Sequence, residues 1–207
     1  MKPNRRIIGI TGNIATGKSA VTAHLRARGF RVIDADQVAR EAVRAGSRGL
    51  REVVKRFGGE ILLENGELNR SRLGEIVFND PQALKQLNDT LHPLILASID
   101  EKIKQCRETV IFVDGALLFE TGYHRRVDEI WLVTASRTHQ LQRLQSRDGL
   151  DADQAKKRMA SQMDQREKTG RSQVIIDNDG TLEELHEKID KLISGLGLDK
   201  AGSSTYN

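Results

Sequence analysis

Eight consecutive residues constrain this chain more than any others: Gly12-Asn13-Ile14-Ala15-Thr16-Gly17-Lys18-Ser19. Two glycines five positions apart, the second followed directly by lysine and a hydroxyl residue, have the spacing G-x-x-x-x-G-K-[ST]. The run Ile7-Ile8-Gly9-Ile10-Thr11 just before it is short and β-branched, as a buried strand is. From about Lys18 to Arg28 the pattern is helical, and Gly29 stops it. A strand–loop–helix of this kind turns backbone N–H groups inward and adds the positive end of a helix dipole. Such a concavity suits the phosphate chain of a nucleoside triphosphate, with Lys18 bridging the β- and γ-phosphates and Ser19 holding Mg²⁺ through its hydroxyl. A chance glycine-rich turn opening a helix is the alternative, and the strand and helix on either side weigh against it.

Four further apolar runs read as strands: Arg31–Asp34, Val110–Val113, Ile130–Val133 and Val174–Ile176. They are continuous rather than alternating, as a parallel sheet covered on both faces requires. Five such strands separated by helical stretches predict an α/β, doubly wound fold. Between the second and third strands lie about seventy residues without a strand pattern. Leu50, Val53, Val54 and Phe57 fall at helical spacing, and Leu84, Leu87 and Leu91 do so again before Pro93. That stretch is too long for a simple βα connection and reads as a helical insertion, with a break at Pro93. Residues 151–169 read as one polar helical stretch, 182–193 as an amphipathic final helix, and 197–207 as a frayed tail.

The net charge of +4 and pI near 9.3 raise the question of nucleic acid. Residues 137–171, however, hold nine Lys/Arg against five Asp/Glu and account for the whole excess. A local basic segment suits a compact polyanion such as a nucleotide, and a long duplex would need a stripe. A solvated, salt-bridged helical face is the alternative for that segment. No apolar run approaches the ~20 residues of a membrane span. Cys106 is the only cysteine, so no internal disulfide forms. With no export signal in view, the expectation is a reducing, cytoplasmic protein that is a monomer or weak homo-oligomer and binds neither nucleic acid nor membrane.

A triphosphate loop serves several classes. No guanine-reading Asn/Thr-Lys-x-Asp follows a late strand, and only a single carboxylate, Asp114, follows Val113. A sheet core, a helical acceptor-binding insertion and a basic mobile lid, in that order, describe a small P-loop kinase. The expected division is 1–36, 109–137 and 172–196 for the nucleotide-binding core, 37–108 for the insertion, 138–171 for the lid and 197–207 for the tail.

Several further segments carry a more specific resemblance. They are Asp34-Ala35-Asp36-Gln37-Val38-Ala39-Arg40, Gly66-Glu67-Leu68-Asn69-Arg70, Val77-Phe78, Leu91-His92-Pro93-Leu94-Ile95, Leu117-Leu118-Phe119-Glu120, Gln140-Leu141-Gln142-Arg143 with Arg147-Asp148, and Gln162. Together with the phosphate loop they span residues 8–178 and resemble the dephospho-CoA kinases. The resemblance implies a P-loop kinase fold, with a five-stranded parallel sheet, a helical acceptor-binding insertion and a helical lid. It also implies ATP-Mg²⁺ and dephospho-CoA as ligands, with transfer to the ribose 3′-hydroxyl in the last step of coenzyme A synthesis. The chain departs from the family at Asn13 and Ala15, where glycine is usual, and at Ala116, where proline is usual. Another small-molecule P-loop kinase, such as a nucleoside monophosphate kinase, is the rival enzyme. A nucleotide-gated binding protein with no acceptor is the rival from another class.

The residues themselves leave several roles open. Asp36 follows the second strand, where open α/β sheets place ligands, and either accepts a proton or caps the next helix. The resemblance implies the general base. Arg40, four residues later, either steadies Asp36, touches the acceptor's phosphate or is a surface arginine. Asp114 either binds Mg²⁺ through water or is a turn residue before Gly115. The resemblance implies Arg143 as a catalytic arginine acting with Lys18, Arg147 as a second nucleotide-binding lid arginine, and acceptor binding by His92. Thr11, Leu117, Leu118 and Glu120 are the remaining candidate acceptor contacts. Asn178, after the last strand, lines an adenine pocket or makes a turn.

Overall fold

The computed structural model describes residues 5–196; the expectation for the tail at 197–207 falls outside them. Five strands form one sheet: β1 Arg6–Gly12, β2 Arg31–Asp34, β3 Val110–Asp114, β4 Glu129–Thr134 and β5 Val174–Asp177, in the order β2-β3-β1-β4-β5. The pairs β1–β3, β1–β4 and β4–β5 are all parallel. Register sets Ile10 beside Asp114, Gly12 beside Val133 and Thr134 beside Asp177. The C-terminal ends of these strands therefore share one edge, which is where an open α/β sheet receives ligands.

All five residues of β3 are buried, as the continuous apolar run requires of a strand covered on both faces. Helices α1 Lys18–Ala27 and α9 Leu182–Gly195 cover one face. Their Val21, Leu25, Leu185 and Ile189 meet Ile8, Ile10 and Trp131 from the strands. Phe112 sits edge-on to both Phe30 and Trp131, at 5.5 and 5.3 Å between ring centroids.

Chain packing divides the described residues into two compact units, 5–33 with 106–196, and 34–105. The second unit is helical: α2 Ala35–Ala42, α3 Arg48–Phe57, α4 Arg70–Phe78 and α5 Pro81–Gln105. Asp34, Ser47 and Asn69 cap the first three, each side chain accepting a backbone N–H three residues on, at 2.8, 3.1 and 3.0 Å. Val53, Ile61, Leu73, Val77 and Ala83 form this unit's own core.

Two helix boundaries correct the expectation. Pro93 does not break the chain's course: α5 runs 25 residues straight through it. Proline removes one N–H and one intrahelical bond, and α5 packs along α2, α3 and α4, which hold it as one element. After α6 Arg137–Asp148, the polar stretch expected over 151–169 is two helices, α7 Ala152–Ala160 and α8 Gln165–Thr169. Asp164 caps α8 by accepting the Arg166 amide at 2.7 Å, and so divides the expected continuous helix.

Candidate active site

The phosphate loop is the turn between β1 and α1. Gly12 has no alternative, because a Cβ there would stand 2.6 Å from Thr16 Oγ1 and 2.7 Å from the Val133 carbonyl. Gly17, the residue before α1, adopts φ +88°, and a Cβ would collide with the Asn178 side chain. Ala15 has φ +60°, the one non-glycine residue with positive φ among the described residues. At this departure from the usual glycine the loop therefore stores strain of order 1 kcal/mol. Thr16 is fully buried and donates its hydroxyl to the Asn13 carbonyl at 2.8 Å, closing the turn on itself. The amides of Lys18 and Ser19 open α1 and by geometry have no acceptor within the helix, the arrangement that receives anions.

Side chains from three other segments brace the loop. Asn178, after β5 and nearly buried, donates its amide to the Thr16 carbonyl at 2.8 Å. Arg143 of α6 reaches the same place, donating to the Ala15 carbonyl at 3.2 Å and the Asn178 carbonyl at 2.8 Å. Gln162 Oε1 accepts the Ile14 amide at 2.7 Å, and the Asn13 side chain donates to the Met163 carbonyl at 2.8 Å. The other departure from glycine, Asn13, thus ties the loop to the segment before α8. Lys18 directs its ammonium onto the Asp114 carboxylate, and both are largely shielded from solvent. Ser19 is exposed at the loop's end.

Arg143 and Arg147 sit one turn apart on α6 but do different things. The Arg147 guanidinium lies 2.7 Å from Asp148 on the surface and holds that carboxyl below the usual carboxylate range. Its partner is thus its neighbour Asp148.

The segment after β3 carries the remaining candidates of this unit. Leu118 and Phe119 are core residues at 2% and 4% exposure, whereas Leu117 is 44% exposed. Thr11 is fully buried and donates to the Ala116 carbonyl at 3.2 Å. Lys168, fully buried, donates to the same carbonyl at 3.3 Å and pairs with Glu120 at 2.9 Å. Both bonds at Ala116 use the carbonyl, which alanine supplies as well as proline does. Lys168 is the site-flanking residue that sequence reasoning missed. A lysine inside a polar helical run carries no sign that it will be buried.

In the helical unit, Asp34 provides the α2 cap, so Asp36 in the first turn has no capping duty. Arg40 lies one turn further along, its guanidinium 3.9 Å from Asp34. His92 is half-buried within α5.

Near the phosphate loop the first unit offers two hard oxygen donors, the Ser19 hydroxyl at the loop's end and the Asp114 carboxylate on which the Lys18 ammonium rests. Among the described residues no cluster of three or more His, Cys, Asp or Glu side chains could enclose a metal alone. Two hard oxygen donors beside a phosphate cradle fit Mg²⁺, which keeps several waters and takes its other ligands from substrate phosphates.

The profile of the dephospho-CoA kinase family matches residues 6–184. A dephospho-CoA kinase of Geobacter sulfurreducens is 44% identical over 189 residues, covering 90% of this chain and 96% of that protein. A crystal structure from Thermus thermophilus superposes with a TM-score of 0.82 at 34% identity, covering 93% of this chain and 98% of that one. A dephospho-CoA kinase structure from Campylobacter jejuni gives 0.70 at 29% identity, covering 92% and 96%. With the profile running from the first strand into the last helix, the chain belongs to the dephospho-CoA kinase family.

Proposed function

We propose that this chain moves the γ-phosphoryl group of ATP to the ribose 3′-hydroxyl of dephospho-CoA, giving coenzyme A. As a member of its family it is an ATP-using phosphotransferase of the last step of coenzyme A synthesis. The observation that supports the finer reading best is the loop mouth. Lys18 and Asp114 meet there, and Arg143 grips the Ala15 carbonyl from α6.

Phosphoryl transfer asks little covalent work of the protein and much positioning and electrostatic stabilisation. The Lys18 and Ser19 amides and the α1 dipole receive the phosphate oxygens. The Lys18 ammonium, at the loop's end, bridges the β- and γ-phosphates. Arg143 carries a planar fork already held at the loop, suited to the charge that spreads over the transferring group's oxygens. Ser19 and Asp114 would hold Mg²⁺, which when bound neutralises charge between the β- and γ-phosphates. Asp36 accepts the proton as the acceptor oxygen attacks. Residues 37–108 are the acceptor-binding insertion, with Arg40 and His92 as contacts, and residues 138–171 the lid, with Arg147 as its second nucleotide-binding arginine. On the core side Leu117 and Glu120 are the acceptor contacts, with the buried Thr11 and Leu118 shaping the segment behind them, and Asn178 supports the adenine end. Among the described residues no helix is long and apolar enough to cross a membrane. Water-soluble substrates and a sequence with a single cysteine support a cytoplasmic, monomeric or weakly associating enzyme.

The test is an acceptor panel. With ATP and Mg²⁺, dephospho-CoA is expected to gain one phosphoryl at the 3′ position, read by mass and by 3′-nucleotidase release. AMP, CMP and shikimate are expected to stay unmodified. Turnover of one of those three without dephospho-CoA would reject the acceptor. Asp36→Asn should lower turnover about 10²–10⁴-fold with ATP binding little changed, the usual worth of a general base. Near-normal turnover in that variant would remove Asp36 from the chemistry.

A further inference from the structure

Lys168 of α8 is fully buried. A buried ammonium is costly to desolvate, and a well-packed apolar pair of the same volume often serves stability as well. What an apolar side chain cannot do is fix the direction of a carboxylate and a carbonyl. Lys168 holds one of each, Glu120 at 2.9 Å and the Ala116 carbonyl at 3.3 Å.

These contacts join three segments of the first unit. Ala116 opens the stretch after β3 that carries Leu117 and Glu120, and its carbonyl also accepts the Thr11 hydroxyl of β1 at 3.2 Å. Ala116 has no ring to fix its φ, so the two bonds on its carbonyl set the direction of the chain into Leu117. Glu120 Oε1 meets Lys168 and also accepts the Met163 amide at 3.4 Å. Met163 in turn accepts the Asn13 side-chain amide on its carbonyl at 2.8 Å, and its neighbour Gln162 accepts the Ile14 amide at 2.7 Å. Residues 162–168 therefore tie the phosphate loop to the stretch 116–120. The tie has a fixed base, because Gln165 donates to the Ala135 carbonyl at 3.3 Å and accepts from Gln140 at 3.2 Å. Arg171 closes the seam, its guanidinium 4.8 Å from the centre of the Phe119 ring.

We propose that Lys168 is a positioning residue for phosphoryl transfer, a reading that rests on dephospho-CoA being the acceptor. Through Ala116 and Glu120 it sets where the acceptor contacts stand relative to the γ-phosphate in the loop. Its worth lies in aligning the attacking oxygen rather than in binding either ligand, and misplacing reacting atoms by about 1 Å costs on the order of 10²-fold. Water, the competing acceptor, needs no contact with residues 116–120. Loss of Lys168 therefore shifts ATP use from transfer toward hydrolysis, in which a water oxygen bonds to the γ-phosphorus, the bond to ADP breaks, and phosphate and a proton leave.

The experiment follows coenzyme A and free phosphate together, per folded enzyme, well below the melting temperature of every variant. Lys168→Met should lower turnover to coenzyme A about tenfold to hundredfold, with KM for ATP and acceptor-free hydrolysis changed by less than about threefold. Asn13→Ala cuts the far end of the tie without touching a charge and should lower transfer by about threefold to tenfold, the worth of one neutral hydrogen bond. The double variant should be no worse than Lys168→Met alone, because both changes act on one tie. Lower melting with unchanged transfer would make Lys168 structural and overturn the proposal. Equal losses of transfer and of acceptor-free hydrolysis would also overturn it, by moving the effect to the ATP site. Should Lys168→Met fail to fold, unchanged transfer in Asn13→Ala would overturn it. Failure of the unmodified enzyme to phosphorylate dephospho-CoA would overturn the underlying acceptor reading instead.

Discussion

Arg143 holds two backbone carbonyls, those of Ala15 and Asn178, before any question of chemistry arises. Its removal should therefore be felt twice. Arg143→Ala loses two charge-assisted hydrogen bonds worth about 1.5–3 kcal/mol each at most, and melting should fall by several degrees for a chain of this size. It also loses the fork proposed to meet the transferring phosphoryl group, so turnover and turnover over KM should fall together, by at least about 10²-fold. Arg143→Lys separates the two effects. It retains a charge and one donor at the loop, so the melting temperature should largely return while turnover stays well below the unmodified enzyme. Full recovery of turnover with lysine would leave Arg143 as a brace only. Arg147 shows why spacing alone could not sort these two residues. Residues four apart share a helix face, yet one finds the loop and the other finds Asp148. Lys168 was illegible for the same reason, since its burial depends on Glu120 and Ala116, far away in sequence. The capping question at Asp36 was legible only as an alternative; the position of Asp34 decides it.

At the level of elements, the strands were the easiest to read, because unbroken apolar runs are almost obligatory in a parallel sheet buried on both faces. Helix ends were harder. Pro93 carries a strong stopping signal, and packing along the whole of α5 overrides it. Asp164 carried a capping signal that the surrounding polar pattern masked. The start of α6 adds a tertiary device. Its cap Ser136 donates its backbone N–H to Asp179 at 2.7 Å, and His139 in the first turn meets the same oxygen at 2.7 Å. The Ser136 amide first, and His139 second, hold the Asp179 carboxyl below the usual aspartate range. A carboxyl depressed in the folded state contributes stability above its unfolded pKa of about 3.9 and loses it as pH falls through the lower folded value. Thermal melts from pH 6 down to pH 2.5 should therefore show a steeper acid limb for the unmodified protein than for Asp179→Asn, the difference between them shrinking as pH falls through the lowered folded value. Parallel acid limbs would mean that this contact does not stabilise the start of α6.

Across the whole molecule, the order β2-β3-β1-β4-β5 brings the ends of strands distant in sequence to one loop. The sequence names the strands but not their neighbours, so the meeting of Lys18 with Asp114 and of Asn178 with Thr16 was not visible before folding. That convergence links nucleotide binding to global stability. A ligand at a hundred times its dissociation constant stabilises the native state by about 2.7 kcal/mol, and each kcal/mol raises the melting temperature by about 2–4 °C at this length. ATP should thus raise melting by about 5–10 °C. Lys18→Met should shrink that rise by more than half at the same ATP concentration. The substitution also strips the shielded Asp114 carboxylate of its ammonium, so melting without nucleotide should fall as well; breaking a buried ion pair costs up to about 3–5 kcal/mol. Lys18→Met combined with Asp114→Asn removes the charge mismatch, and melting without nucleotide should recover. The ATP-dependent rise should not recover, because the phosphates still lack their cation. Calorimetric or fluorescence melts of the four proteins, with and without ATP, read both quantities. An undiminished ATP shift in Lys18→Met would show that the lysine serves only as the partner of Asp114.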